Sequence, residues 1–285
     1  MLAPRHATIR DGLSTPLFLE AFRASGEKRL WLTRLLYGAF FGPRWRPALL
    51  GFAYVKCVDN TIDREPDVGT AKAFLDRQRA LLARAYAGAP RDATLPAPDR
   101  YGAAFFVWDR AHGANLRRSV EEVFDTFEVD LARRHRLLSG AELDRNVRIA
   151  GTAVLRYLGW FASPARPLSE ALLERGSRAY IYADHLVDLE EDLRFGLCNV
   201  PAEDAAALGI DPFDLASVSG AWLDGRVPGV ERCFDEALAE VRRTRGLRLR
   251  LLCRLYLGRK RAELRRFLAR RSAPVLGDQP ASGSR

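Results

Sequence analysis

The chain has 285 residues, with 48% hydrophobic, 10% aromatic and 28% charged side chains. That composition excludes a disordered, collagen-like or disulfide-scaffold protein. The net charge is +9, but residues 241–271 hold thirteen basic residues against the single acid Glu263, so that segment is +12 and the rest of the chain is 9 minus 12, or −3.

Along the chain, residues 15–40 carry Leu17, Phe18, Leu19 and Phe22, then Leu30, Leu32 and Leu35–Leu36, at helical spacing. The stretch Phe40–Pro47 punctuates them. A second helix is predicted from about Ala48 through YVKCVDNTID, ended by Pro66, and a third over 71–87. The three prolines between Gly88 and Pro98 mark a loop. Tyr101–Leu138 returns to helical spacing with Phe105, Phe106, Trp108, Leu116, Val120, Val123, Phe124, Phe127 and Val129. Further helices are expected over 142–161, over 169–195 before Pro201, and near 225–242 and 246–270. Residues 272–285 read as a tail. No stretch alternates with period two, and no repeat is evident. The expectation is one all-α domain of eight to ten helices over residues 1–271.

The leucines of the basic segment (Leu247, Leu249, Leu251, Leu252, Leu255, Leu257, Leu264 and Leu268) make it a packed helix rather than a basic tail. An anionic small substrate near its arginines is expected, and nucleic acid is not. The longest uncharged apolar runs, 47–55 and 215–223, span nine residues. A membrane-crossing helix needs roughly 18. The N-terminus interleaves acid and base without an apolar core, so no secretory signal is expected; peripheral membrane contact stays open. Cys57, Cys198, Cys233 and Cys253 lack metal-ligand spacing, which favours a reducing, cytoplasmic compartment.

The sequence contains no HExxH, CxxC, GxSxG or phosphate-cradling glycine motif. What it contains is acids at helical spacing inside apolar segments. Asp59 and Asp63 share a helix face, and Asp184, Asp188 and Asp192 form a ladder over two turns. Like charges four apart repel, at greater cost inside a core, unless a cation joins them. Oxygen ligands favour a hard divalent ion such as Mg2+, which pairs carboxylates with substrate phosphates.

With those acids in view, the chain resembles the squalene/phytoene synthase family over about residues 30 to 260. YVKCVDNTID, Tyr54 to Asp63, resembles that family's aspartate-rich first motif. DHLVDLEEDLRFGLCNVP, Asp184 to Pro201, resembles its second motif, and Ile149-Ala150-Gly151-Thr152 resembles the step between them. The resemblance implies the all-α isoprenoid-synthase fold, with facing carboxylates holding Mg2+ and an allylic diphosphate at the mouth of an apolar cavity. It implies Asp59, Asp63, Asp188, Glu191 and Asp192 as metal ligands. Lys56 takes the place of the motif's basic residue as a diphosphate contact, and Arg148 and Arg194 are further candidates. Asp184, the extra acid, would add a metal ligand, orient an acceptor N–H or take its proton. Candidate aromatic wall residues are Phe52, Tyr54, Phe105, Phe106, Trp108, Trp160, Tyr180 and Tyr182.

The chain departs from that pattern. Asn60 replaces the second aspartate of the first motif, Asp184 an asparagine and Val187 an arginine. Leu197 and Asn199 stand where an arginine and a tyrosine are usual, and LDRNVR before Ile149 has no tyrosine. The ionisation machinery is kept while the site for a second long prenyl diphosphate is altered. The expected activity is therefore transfer of a short prenyl group, from dimethylallyl diphosphate, to a carbon of an aromatic acceptor such as an indole or carbazole. The alternatives are head-to-head squalene or phytoene synthesis, a cyclase, and a non-catalytic assembly protein of the same fold.

Overall fold

A computed structural model describes residues 15–26, 30–90, 92 and 94–272. Thirteen α-helices and one 3-10 turn account for its regular structure, and there is no strand among the described residues. The helices are α1 (Thr15–Ala24), α2 (Leu30–Phe41), α3 (Trp45–Arg64), α4 (Val68–Tyr86), α5 (Asp99–His112), α6 (Arg117–Ala132) and α7 (Gly140–Ala162). They continue with α8 (Glu170–Val187), α9 (Leu189–Arg194), α10 (Ala202–Leu208), α11 (Leu215–Val218), α12 (Ala221–Arg243) and α13 (Leu247–Ser272). The all-α expectation holds, with more helices than periodicity suggested. The predicted tail, beyond Ser272 at the end of α13, lies outside the described residues.

The extra breaks have local causes. The expected helix over Tyr101–Leu138 is two helices, because Gly113 and Asn115 both adopt left-handed backbone, with φ of 59° and 57°. The helix expected over 169–195 bends at Asp188 into α8 and α9. Its hydrogen-bond ladder nevertheless continues through Asp188 N–H to the Asp184 carbonyl and Asp192 N–H to the Asp188 carbonyl, both 2.8 Å. Helices α10 and α11, of seven and four residues, are too short to show a periodic stripe.

Helix starts follow sequence chemistry. Asp67 accepts from Thr70 N–H at α4, and Ser169 accepts from Leu172 N–H at α8. Ser139 and Glu142 form a reciprocal capping box at α7. Each such cap contributes on the order of 1 kcal/mol.

The core is aromatic. Tyr54, Phe105, Phe106, Phe124 and Phe161 are fully buried, and Tyr54 meets Phe106 edge-on at 5.3 Å. The Tyr54 hydroxyl donates to Gln78, whose amide donates to Asp99, and Arg77 pairs with the same carboxylate. Helix α8 packs on α7, α12 and α13. Its contact with α7 requires Gly151, where a Cβ would come within 2.5 Å of Ser177 Cα. That close approach supplies a physical reason for a glycine in the step between the two acid motifs.

Candidate functional site

Helix α3 buries Leu49, Leu50, Ala53, Tyr54, Cys57, Val58 and Ile62 on one side. This turns Lys56, Asp59 and Asp63 onto another face, where Lys56 Nζ lies 2.6 Å from Asp59. Helix α8 buries Leu172, Leu173, Ala179, Ala183 and Leu186, and its C-terminal turn presents Asp184 and Asp188, with Asp192 following on α9. The two segments lie within electrostatic reach of one another. Lys56 feels Asp59, Asp63 and also Asp184.

The element that joins them is the end of α6, which sequence reading missed. Asp130 raises the carboxyl pKa of both Asp63 on α3 and Asp192 on α9. Arg133, buried, pairs with Asp130 at 2.7 Å and donates to the Cys198 carbonyl at 2.8 Å. Arg134 donates to the Ile62 and Glu65 carbonyls at the C-terminal end of α3, at 2.7 and 2.5 Å. His135 N–H donates to the Gly196 carbonyl at 2.7 Å. Gly196 has a φ of +73°, and a Cβ there would strike the His135 ring. One six-residue stretch, Asp130–His135, therefore ties down the ends of both acid segments.

Burial and mutual repulsion dominate the electrostatics. Burial, then Asp59 and Asp130, push the Asp63 carboxyl up to about 7 against the pull of Lys56 and Arg134. Burial and then Asp184 lift Asp188 to about 6. Burial, then Asp188 and Asp130, lift Asp192 to about 8, although Arg133 opposes. Asn199, buried, donates to Asp192 Oδ2 at 2.6 Å. The position that departs from the usual tyrosine thus holds a site carboxylate.

Besides Arg133 and Arg134, two lysines answer this charge. Burial pulls the Lys56 ammonium down, but Asp59 and its hydrogen bond, then Asp63 and Asp184, hold it above its ordinary value. Lys260 of α13 is only 5% exposed, and its Nζ meets Asp184 Oδ1 directly and Glu263 at 3.2 Å. Desolvation lowers its pKa, yet Asp184 outweighs it and keeps Lys260 charged. The basic segment therefore sends a lysine, not an arginine, into the site. Next to it Tyr180 and Tyr256 stack at 4.3 Å and 3°, with Lys260 Nζ 5.5 Å from the Tyr180 ring.

Burial pushes the phenols of Tyr157, Tyr180 and Tyr256 up, yet each ring keeps some accessible surface. Tyr157 continues into Phe161 at 4.9 Å and Phe105 at 6.1 Å. Tyr54, Phe105 and Phe106 are core rings. Tyr182 is drawn elsewhere: it donates to Asp144 and lies under Arg226 at 4.5 Å. His185 is held neutral, at about 3, by burial and then by Arg133, Arg226 and Lys260, and its Nδ1 is buried without a partner among the described residues.

Other expected site residues lie apart. Asn60 lines a separate groove with Cys57, Thr61, Arg64 and Tyr101, so its replacement of an aspartate does not open the acid cluster. Arg148 pairs with Asp144 at 3.3 Å, and Arg194, 69% exposed, pairs with Glu190. The structure thus gives both arginines partners outside the cluster. Glu191 is exposed on α9 and acts on Asp188 only through its charge. Among the described residues no three acid, imidazole or thiol groups already converge as a metal cage.

No protein-family profile matches this sequence, and no curated protein matches it in sequence. In three dimensions the chain is similar to the crystal structure of squalene synthase HpnC from Alicyclobacillus acidocaldarius, with a TM-score of 0.66 and 20% identity. The match covers 90% of this chain and 96% of that one. The fold is therefore the all-α isoprenoid-synthase fold of that squalene synthase.

Proposed function

We propose that this chain is a Mg2+-dependent prenyltransferase. It ionises a short allylic diphosphate, dimethylallyl diphosphate, and joins the allyl group to a carbon of an aromatic acceptor such as an indole or carbazole, releasing diphosphate and the proton that carbon carried. The observation that supports this best is the acid cluster: carboxyls from α3, α6, α8 and α9 gathered within reach of one another's charge, with too little cation to neutralise them.

The donor set fits Mg2+, being all oxygen and mainly carboxylate, and an open arrangement suits an ion that completes its shell with substrate phosphate. Asp59, Asp63, Asp188 and Asp192 would hold it, with Glu191 at the edge. When bound, Mg2+ supplies Lewis-acid stabilisation of the departing diphosphate.

The chain's own groups do the rest. Lys56 and Lys260 set ammonium charge against the diphosphate oxygens as negative charge builds there. Asp184 orients Lys260 through Oδ1 and, with its other oxygen, accepts a hydrogen bond from the acceptor N–H. That handle matters because a buried donor left unpaired costs roughly 1–3 kcal/mol. The stacked Tyr180–Tyr256 pair offers a flat apolar surface to an aromatic ring, and Tyr157, Phe161 and Phe105 exclude water from the allyl cation.

The fold likeness to a squalene synthase favours a second reading, head-to-head coupling of two farnesyl or geranylgeranyl diphosphates. Product analysis separates the two. With Mg2+, dimethylallyl diphosphate and a panel of indoles and carbazoles, a coupled product is expected. A head-to-head hydrocarbon from the longer diphosphate alone, with no aromatic product, would establish the second reading instead. Asp184→Asn is expected to lower coupled product while donor hydrolysis persists.

A further inference from the structure

Helix α13 has two electrostatically unlike regions. Toward its C-terminus four of six cations are matched: Lys260 meets Asp184 and Glu263, Arg261 meets Glu231 and Asp235, Arg265 meets Glu231, and Arg271 donates to the Ser219 carbonyl, while Arg266 and Arg270 are exposed. Toward its N-terminus Arg248, Arg250, Arg254 and Arg259 are exposed, and none has a side-chain partner among the described residues.

The same region exposes Leu247, Leu251 and Leu255, at 63%, 43% and 53%. Spaced four apart, they form one stripe on the helix. At about 100° per residue, Arg250 and Arg254 fall along one side of that stripe and Arg248 along the other, while Arg259 continues the row one turn beyond Leu255. Helix α2, packed against α13, exposes Leu35 and Leu36 as well. The buried face of α13 is elsewhere, at Leu249, Cys253, Leu257 and Leu264. Three aligned exposed leucines therefore serve neither the core nor the acid cluster, and such a patch marks an interaction surface.

We propose that this face of α13 docks on an anionic lipid surface, with the leucines entering the boundary between headgroups and acyl chains and the four guanidiniums meeting lipid phosphates. Charge complementarity selects this occupant. A second copy of the chain would bring the same unpaired arginines against these, and a nucleic acid would take the arginines but leave the leucines in water. An apolar stripe bordered by arginines matches a membrane interface on both counts. No described helix is long and apolar enough to cross a membrane, so the attachment is peripheral.

Vesicle flotation of the full chain tests the proposal, comparing pure phosphatidylcholine with vesicles holding about 30 mol% phosphatidylglycerol in about 0.15 M salt. The wild-type chain should float only with the anionic vesicles. Leu251→Ser/Leu255→Ser and Arg250→Gln/Arg254→Gln should each weaken that binding roughly tenfold or more. All four positions are solvent-facing, so circular dichroism and affinity for inorganic diphosphate should stay at wild-type values. The proposal is overturned if the chain stays unbound, or if it binds neutral vesicles equally. It is also overturned if the leucine variant binds as well as wild type, which would leave bare charge attraction of the kind nucleic acid exploits. Sedimentation showing a dimer that the leucine variant dissociates would assign the face to a second copy instead.

Discussion

Asp63 and Asp144 are the same side chain on neighbouring parts of one helical bundle, and their surroundings treat them oppositely. Asp144 receives both Arg178 contacts at 3.0 Å and the Tyr182 hydroxyl at 2.9 Å, with Arg148 nearby. Burial alone would raise its pKa, but these partners hold it below the usual carboxylate value. Asp63 is half-buried too, yet its strongest neighbours are Asp59 and Asp130, so it rises to about 7. One carboxylate is neutralised by the fold; the other is set mainly against carboxylates. The fold surrounds Asp144 with donors but sets Asp63, Asp188 and Asp192 beside other carboxylates.

The largest effect that would break this contrast is on turnover. Asp188→Asn removes one carboxylate from the cluster and is expected to cut prenyl transfer by roughly 100-fold or more. The far-ultraviolet circular dichroism should be unchanged, and full activity in the variant, or in wild type with excess chelator, would refute a metal-binding role. Asp144→Asn should act on stability instead. Losing charge-assisted bonds to Arg178 and Tyr182 is expected to cost about 1–3 kcal/mol in urea unfolding, with turnover affected far less. If the variant unfolds at the wild-type midpoint, Asp144 is not the satisfied partner described above.

The reverse sign is expected for Asp63→Asn. Removing a repelled charge should raise the stability of the metal-free protein by about 1 kcal/mol at about pH 8, while still lowering activity. A lower melting temperature at that pH would show that repulsion does not dominate the cluster.

The smallest and most diagnostic effect is on pH. A carboxyl whose pKa is raised by folding stabilises the folded state below its unfolded value and loses that contribution as pH rises through the folded one. For Asp188 and Asp192 the window runs from the ordinary 3.8 up to about 6 and about 8. The metal-free chain should therefore melt at progressively lower temperature between about pH 5 and about pH 9. Mg2+ with inorganic diphosphate should recover most at the alkaline end, where the carboxylates are charged. A flat profile in calorimetry would remove the basis for calling the cluster frustrated.

Helix content and the two acid motifs were legible in the sequence because both are local. Leu49, Ala53, Tyr54 and Ile62 show the stripe of α3 at its own period, and Asp59 and Asp63 share a face through spacing alone. The capping box at Ser139 and Glu142 spans four residues and needs no tertiary contact. Gly196 could be read as a required glycine, but not its reason, which is the His135 ring against it.

What only the tertiary structure decided is which charges meet. Asp130 sits in DLARRH among ordinary charged residues, with nothing in its neighbours to separate it from a solvated helix face. It joins the site because α6 ends between α3 and α9, a matter of helix packing. Lys260 is one of thirteen basic residues in its segment, and only the crossing of α13 over α8 singles it out for Asp184. Arg148 and Arg194 differ: their partners Asp144 and Glu190 stand four residues before them on the same helix, a pairing that spacing alone gives. Helical periodicity reports a residue's face to its own neighbours in sequence. Coulomb interactions depend on distance in space, and between helices that distance is set by packing of the whole bundle.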